Sequence, residues 1–301
     1  MGKRPLILAL LENGKSKNIE LAAKIMFALS ASAAIVAVGL ICVFLFIQGL
    51  PAMWDIGLIN FLTGTEWRPT WNPPRFGILP MIVGSLYVTV GAVLFGVPTG
   101  IFAAVFMAKF CPRPVYAVLK PAINLLAGIP SVVYGYFGMV VLVPFVRENF
   151  GGNGNSILTA SILLGMMILP TIITISESAI RAIPREIYEG AIALGASHES
   201  AVFRVVLPAA KSGVMASVIL GIGRAVGETM AVRMVAGNHA VLRMPGEFLS
   251  GTRTLTANVV IELGYAYGGH RAALIATGVV LFVFVMLINT LFSILSKKDG
   301  A

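Results

Sequence analysis

Six long apolar stretches, at residues 25–47, 78–107, 121–145, 157–175, 214–235 and 272–295, constrain this chain more than any other feature. A bilayer core of ~30 Å takes about 20 helical residues to cross. Each stretch meets or approaches that length. Each is expected to be a helix, because lipid offers no partners for backbone N–H and C=O groups. The second stretch is long enough to require tilt or a break near Pro98, and the third has Pro130 inside it. Composition agrees: 57% of residues are hydrophobic and 12% charged, about half the ~25% charge of a soluble domain. An outer-membrane barrel would show alternating segments of ~10 residues, which are absent. The expected fold is an all-α polytopic membrane protein with six transmembrane helices and tails at 1–24 and 297–301.

The net charge of +9 does not point to nucleic acid. Basic residues on one wet face would be needed, and here they are scattered between apolar runs. Their distribution reads instead as topology. Lys3, Arg4, Lys15, Lys17 and Lys24 precede the first span, whose apolar length exceeds the ~7–15 residues of a signal peptide. Loops on that side add Lys109, Arg113, Lys120, Arg181, Arg185, Arg204, Lys211, Lys297 and Lys298, fourteen in all. The other side carries six: Arg68, Arg75, Arg147, Arg243, Arg253 and Arg271. The positive-inside rule then puts both termini in the cytoplasm. Trp54, Trp67 and Trp71 all fall in the first outside loop, as an aromatic anchor at the outer interface or as loop packing.

Several chemistries find no residues. Cys42 lies mid-span and Cys111 in an inside loop, which leaves neither a disulfide nor a zinc set. His198, His239 and His270 lack ligand spacing. Gly14-Lys15-Ser16 resembles the end of a P-loop, but Ala9 stands where the motif needs glycine, and no strand precedes it.

The inside loop at 177–211 has clear punctuation. Pro184 suits the first turn of a helix, with Glu186 and Glu189 at its positive end. Ile187, Ala191 and Leu194 share one face, and Gly195 can adopt the left-handed cap. Ser197 can cap a second helix, expected to close before Leu207-Pro208. The product is two short helices joined by a tight turn. Amphipathic loop helices of this kind are common in polytopic proteins.

The fifth span carries buried charge. Arg224 sits near its middle, with Glu228 four residues on, so both occupy one helix face. A lone mid-membrane arginine costs at least ~2.5–3.5 kcal/mol, and pairing with Glu228 would offset part of that. The pair is then either a helix-packing ion pair or part of a polar path. In a path, Arg224 offers a fork of donors to a passing oxyanion, while Glu228 holds that arginine and releases it. Arg233 lies half a helical turn round from Arg224 and is expected to snorkel to the outer interface, with the substrate path as its secondary role. Gly223 with Gly227, and Gly96 with Gly100, are small-xxx-small pairs that let another helix approach.

In the loop, Glu189-Gly190-Ala191, Gly195, Val205 and Leu207-Pro208 stand at the spacing E-A-A-x3-G-x9-I-x-L-P. This resembles the EAA loop of binding-protein-dependent ABC importer permeases, with Gly190 for alanine and Val205 for isoleucine. The resemblance implies the type I importer permease (MetI-like) fold and a coupling helix that docks on an ATP-binding subunit. Residues 223–229 (Gly-Arg-Ala-Val-Gly-Glu-Thr) resemble a helix of phosphate importer permeases. So do Trp71-Asn72-Pro73-Pro74-Arg75-Phe76-Gly77-Ile78-Leu79-Pro80, Gly128-Ile129-Pro130-Ser131-Val132-Val133-Tyr134-Gly135 and Phe61-Leu62-Thr63-Gly64-Thr65-Glu66-Trp67. Together they resemble the PstC-type subunit rather than PstA, over roughly residues 20–296.

That resemblance implies a chain that is no enzyme and holds no cofactor, with ATP and Mg bound by a partner. It implies a PstA-like permease, two PstB-like ATPases and a PstS-like phosphate-binding protein, in a bacterial or archaeal inner membrane. Arg224 and Glu228 match residues of the family's phosphate pathway. Sulfate or molybdate are alternative cargoes on the same machinery. A proton-coupled transporter using Glu228, or a membrane enzyme, stand as rivals of other classes.

Overall fold

The computed structural model describes residues 6–298, with side chains described for 20–291 and 294; the expected terminal residues 1–5 and 299–301 lie outside the described residues. Helix α1 (Leu6–Ile56) is continuous, so residues 6–24 prolong the first apolar stretch rather than forming a separate tail. After the short α2 (Leu58–Thr63), strands β1 (Trp67–Arg68) and β2 (Arg75–Phe76) form an antiparallel hairpin with Trp67 opposite Phe76. Helix α3 (Leu79–Val105) passes Pro98 without a break and ends in a π turn, Phe106–Phe110.

The third apolar stretch departs from expectation. It divides into an amphipathic α4 (Arg113–Gly128) and an α5 (Ser131–Phe137), extended by a π turn (Gly138–Leu142) into α6 (Val143–Phe150). Pro130 has no N–H to give and forces the residue before it out of the helical region. Ile129 is accordingly extended, at φ −68° and ψ 127°. The membrane-length helix therefore runs over Ser131–Phe150 rather than 121–145.

Helix α7 (Ile157–Arg181) is capped by Ser156, whose side chain accepts the Thr159 amide. The loop beyond it folds into α8 (Arg185–Ala193), α9 (His198–Ala201), a π turn (Val202–Val206) and α10 (Leu207–Ala209). A bend of 70° leads into α11 (Lys211–Gly227). Then come α12 (Met230–Val235), α13 (Leu255–Glu262) and α14 (Gly268–Lys298). Among the described residues five helices are long and apolar enough to span, and there are six if the pair bent around residue 210 crosses as one span.

Helices α3 and α7 form the centre of the bundle and run in the same direction. Their approach is closer than most side chains permit. A Cβ at Gly91 would overlap the Ser161 side chain, and one at Gly96 would meet Ile168 at 2.7 Å. Gly100 meets Ile172 in the same way at 2.8 Å, so the Gly96/Gly100 pair receives α7. The Gly223/Gly227 pair does not behave alike. Gly223 faces Asn289 of α14, while Gly227 ends its helix and faces open space.

A buried carboxylate ties each end of the bundle. At the coupling-loop end, Glu177 of α7 is 1% exposed. It accepts from the Tyr116 hydroxyl (2.7 Å), Lys120 Nζ (2.6 Å) and Arg181 Nε (2.8 Å), while Arg181 also donates to the Met107 carbonyl. This fastens α4 and α3 to α7. At the opposite end Glu262 of α13 accepts from Trp67 Nε1 (2.7 Å) and Arg253 (2.6 Å) and pairs with His270 (2.8 Å). Trp67 is thus buried in the cap of the bundle and is no interfacial anchor. Trp54 and Trp71 are the exposed ones.

Replacing Glu177 leaves two cations facing each other without their acceptor. Glu177→Ala should cost about 2–3 kcal/mol, less than breaking a fully buried pair because Lys120 and Arg181 keep access to water. The check is thermal unfolding of the detergent-solubilised protein, and an unchanged midpoint would show the cluster to be incidental.

Candidate functional site in the broken fifth span

The fifth apolar stretch is not one helix. Helix α11 stops at Gly227, Glu228 is extended at φ −70° and ψ 128°, and α12 begins at Met230. The same-face argument for Arg224 and Glu228 therefore fails, because it requires helical geometry through residue 228. Among the described residues Arg224 forms no hydrogen bond or ion pair, with Glu228 or any other group. The half-turn placement of Arg233 relative to Arg224 fails for the same reason. Arg233 is exposed near the end of α12, and its carbonyl accepts from Asn238.

Glu228 has a different partner set. Its Oε1 accepts the backbone amides of Thr229 (3.2 Å) and Ala231 (3.3 Å), so the carboxylate caps the second half-helix. Its carbonyl accepts from Thr256 Oγ1 of α13 (3.2 Å), and Thr229 Oγ1 turns back to the Gly227 carbonyl. Negative charge at a helix N-terminus is favourable, and these bonds satisfy groups that lipid cannot.

Arg224 faces the other way. It lies in a groove of about 850 Å³ between α11 and α14, whose walls include Leu220, Gly223, Met286, Asn289 and Thr290. The guanidinium is exposed in a mostly apolar trough with two neutral polar groups opposite. Such a fork of unpaired donors can bind a planar or tetrahedral oxyanion bidentately. Tyr134 of α5, which the sequence did not single out, lies within electrostatic reach of Arg224.

At the coupling-loop end, α8 is capped by Pro184 itself, and none of its residues is buried. Glu189, Gly190 and Gly195 are exposed, and Ala191 is half-buried. Gly195 has φ +89°, and the Ala196 amide closes on the Ala191 carbonyl at 3.1 Å. Ser197 caps α9 through the Ser200 amide. Hydrogen bonds from the backbone and Ser197 hold the Glu199 carboxyl below its usual range. The second helical segment does not close before Leu207-Pro208. A π turn carries it through Pro208 as far as Ala209, because the proline occupies the first turn of the segment that follows. The loop rests on the bundle through the edge-to-face contact of His198 with Phe110 and through Lys109 over the Tyr188 ring, while the Tyr188 hydroxyl meets His198 Nδ1 within the loop at 2.8 Å.

A double-mutant cycle tests the separation of the two charges. If Glu228 caps α12 and does not pair with Arg224, the Arg224→Ala/Glu228→Ala cycle should give a coupling below about 0.5 kcal/mol in thermal unfolding. Glu228→Ala alone should cost about 1 kcal/mol, the usual worth of a cap. A coupling well above that limit would restore the ion pair.

Comparison with known proteins places this geometry. Residues 96–298 match the family described as binding-protein-dependent transport system inner membrane component. A probable ABC transporter permease, YqgH of Bacillus subtilis, is 42% identical over 262 residues, covering 84% of either chain. The phosphate transport system permease PstC of Mesorhizobium japonicum is 34% identical, covering 84% of this chain and 83% of its own. Mycobacterium bovis PstC 1 is also 34% identical, over 77% of this chain and 79% of its own. Among solved structures, the inward-facing MetNI methionine ABC transporter aligns with a TM-score of 0.59 at 20% identity, over 73% of this chain and 95% of that one. A bacterial alginate ABC transporter aligns at 0.57 and 15% identity, over 81% and 83%. The fold is that of the MetI-type importer permeases. The chain belongs to the inner membrane components of binding-protein-dependent transport systems, as a multi-pass permease of the PstC type.

Proposed function

We propose that this chain is the translocating half of an ATP-driven importer of inorganic phosphate. The observation that carries the reading is Arg224: an exposed guanidinium without a side-chain partner among the described residues, in a groove between two apolar helices. Such a charge is costly in a membrane and is found where ions or substrates pass. The PstC relatives support phosphate as the cargo. In this reading Arg224 contacts the anion. Glu228 shapes the path from the break, and Arg233 stands at the outer end of the broken span. The open side of the groove is completed by a second, PstA-like permease.

The chain itself makes and breaks no covalent bond. Two PstB-like subunits bind ATP and Mg and hydrolyse the nucleotide. An external PstS-like protein delivers phosphate. Helix α8 is the docking element. Its apolar residues Ile187 and Leu194 are 40% and 91% exposed, and Glu189 and the Gly195 turn stand at the free end of the loop. Leu207 and Pro208 lie just before the bend into α11, where movement of the loop reaches the fifth span. The surplus of basic residues puts this end, with both termini, in the cytoplasm.

Arg224→Gln should lower phosphate uptake by about 10- to 100-fold, the worth of one or two charge-assisted hydrogen bonds. Assembly with the ATPase should survive. The measurement is radiolabelled phosphate uptake by the reconstituted complex, competed with sulfate and molybdate. Normal uptake by the variant would remove Arg224 from the path, and stronger competition by sulfate or molybdate than by phosphate itself would reassign the cargo.

Gly195→Val forces a β-branched residue into a left-handed backbone, which costs of order 1–3 kcal/mol. The expected result is ATP hydrolysis no longer stimulated by substrate delivery, or an ATPase that dissociates on purification. Coupled hydrolysis at the parental rate would exclude this turn from the docking surface.

A further inference from the structure

On the side of α11 away from Arg224, the break leaves a narrow cavity of about 10 Å³, lined by Ser85 and Thr89 of α3, Glu228, Thr254 and Thr256. Val88, Leu164, Ala225 and Val226 close it with apolar surface. Two side-chain oxygens on residues that line this cavity have no protein partner among the described residues. One is the hydroxyl of Thr89, a residue 6% exposed, which forgoes even the bond to its own helix that threonine can make. The other is Glu228 Oε2, since both capping amides go to Oε1. The remaining hydroxyls are engaged: Ser85 accepts the Leu255 amide at 2.9 Å, Thr254 accepts the Ala257 amide, and Thr256 donates to the Glu228 carbonyl.

We infer that this cavity binds one ordered water, donating to Glu228 Oε2 and accepting from the Thr89 hydroxyl, and that Thr89 is thereby a positioning residue for the broken span. The size fits, because a buried water needs roughly 10–15 Å³ and two to four polar partners. The chemistry fits too. An unmet hydroxyl and an unmet carboxylate oxygen in a low-dielectric site each cost free energy, and a water supplies both the acceptor and the donor they lack. The bridge ties Glu228 to α3, which lies in close contact along α7. It holds the carboxylate on the amides of α12 and away from Arg224. The arginine is then left to the anion, so the inference rests on the reading of Arg224 given above.

The test uses the complete importer reconstituted in proteoliposomes, with Thr89→Val and Thr89→Ser. Valine keeps the shape and loses the hydroxyl; serine keeps the hydroxyl. Maximal phosphate uptake should fall about fivefold in Thr89→Val, the worth of roughly one hydrogen bond, with half-saturation unchanged. Thr89→Ser should restore it to within about twofold. In a high-resolution map of the phosphate-free complex, a density peak should bridge residue 89 and Glu228 in the parent and in the serine variant, and disappear with valine. That map does not depend on the cargo. A parent complex that carries another oxyanion would overturn the phosphate reading while the peak still decides the water. Parental uptake in Thr89→Val, a peak that persists in that variant, or uptake that requires sodium and so marks a cation in the cavity would each overturn the inference.

Discussion

The carboxylate of Glu228 makes a break in a membrane span tolerable. Interrupting a helix in hydrocarbon strands amides and carbonyls that no solvent can reach. Here the interruption supplies its own partners: Oε1 takes the Thr229 and Ala231 amides, Thr229 returns to the Gly227 carbonyl, and Thr256 reaches the Glu228 carbonyl from α13. With those bonds made, α11 and α12 can point differently. Helix α11 presents Arg224 to the groove beside α14, while α12 turns to α5. The candidate site follows from the break, and Glu228, Thr229 and Thr256 together supply the bonds that the break requires.

Other parts of the bundle keep this element in place. The glycines at 91, 96 and 100 let α3 lie in close contact along α7. The two broken spans pack beside that pair and against each other. A Cβ at Gly135 of α5 would meet the Ala231 backbone of α12 at 3.0 Å, so the segments after the two breaks touch backbone to backbone. Glu177 and Glu262 fasten opposite ends of the assembly, each drawing partners from elements far apart in the chain. With only 13 acidic residues in 301, three of them, Glu177, Glu228 and Glu262, set the geometry of the spans.

The apolar stretches, the Gly195 turn and the Ser197 cap were legible in the sequence because each rests on a local rule, whereas the bounds of the third stretch and the continuity of the fifth were not. Apolar length gives a span, positive φ gives Gly195, and a serine before a helix gives Ser197. The partners of buried charges were not legible. Trp67 and Glu262 lie 195 residues apart, and Lys120 and Glu177 lie 57 apart, so no spacing rule joins them. The i, i+4 rule misled at Arg224 and Glu228 because it presumes a continuous helix. The third stretch carried a visible sign in Pro130 and was still expected as one span, with the break looked for at Pro98 instead, whereas nothing in Gly227-Glu228-Thr229 taken alone announces a break. Gly227 facing open space is the trace of that error: a glycine that reads as a packing device is where the helix ends.

The placement of the coupling loop decides how movement would spread through the proposed importer. Its fixed contacts go to the end of the α3–α7 pair, where His198 meets Phe110 edge to face and Arg181 holds the Met107 carbonyl. That pair is close-packed and resists being parted. The other exit from the loop is the 70° bend at residue 210, which leads into α11 alone. The bend does not free α11 from that pair, because the Ser217 hydroxyl meets that of Ser176 at 2.6 Å and a Cβ at Gly213 would overlap Ala179 of α7. Thirteen residues along α11 from Lys211 stands Arg224, and just beyond it the helix is already broken. In the proposed importer, movement of the loop therefore reaches Arg224 through α7 and α11 together, and the break after Gly227 is the place where α12 need not follow.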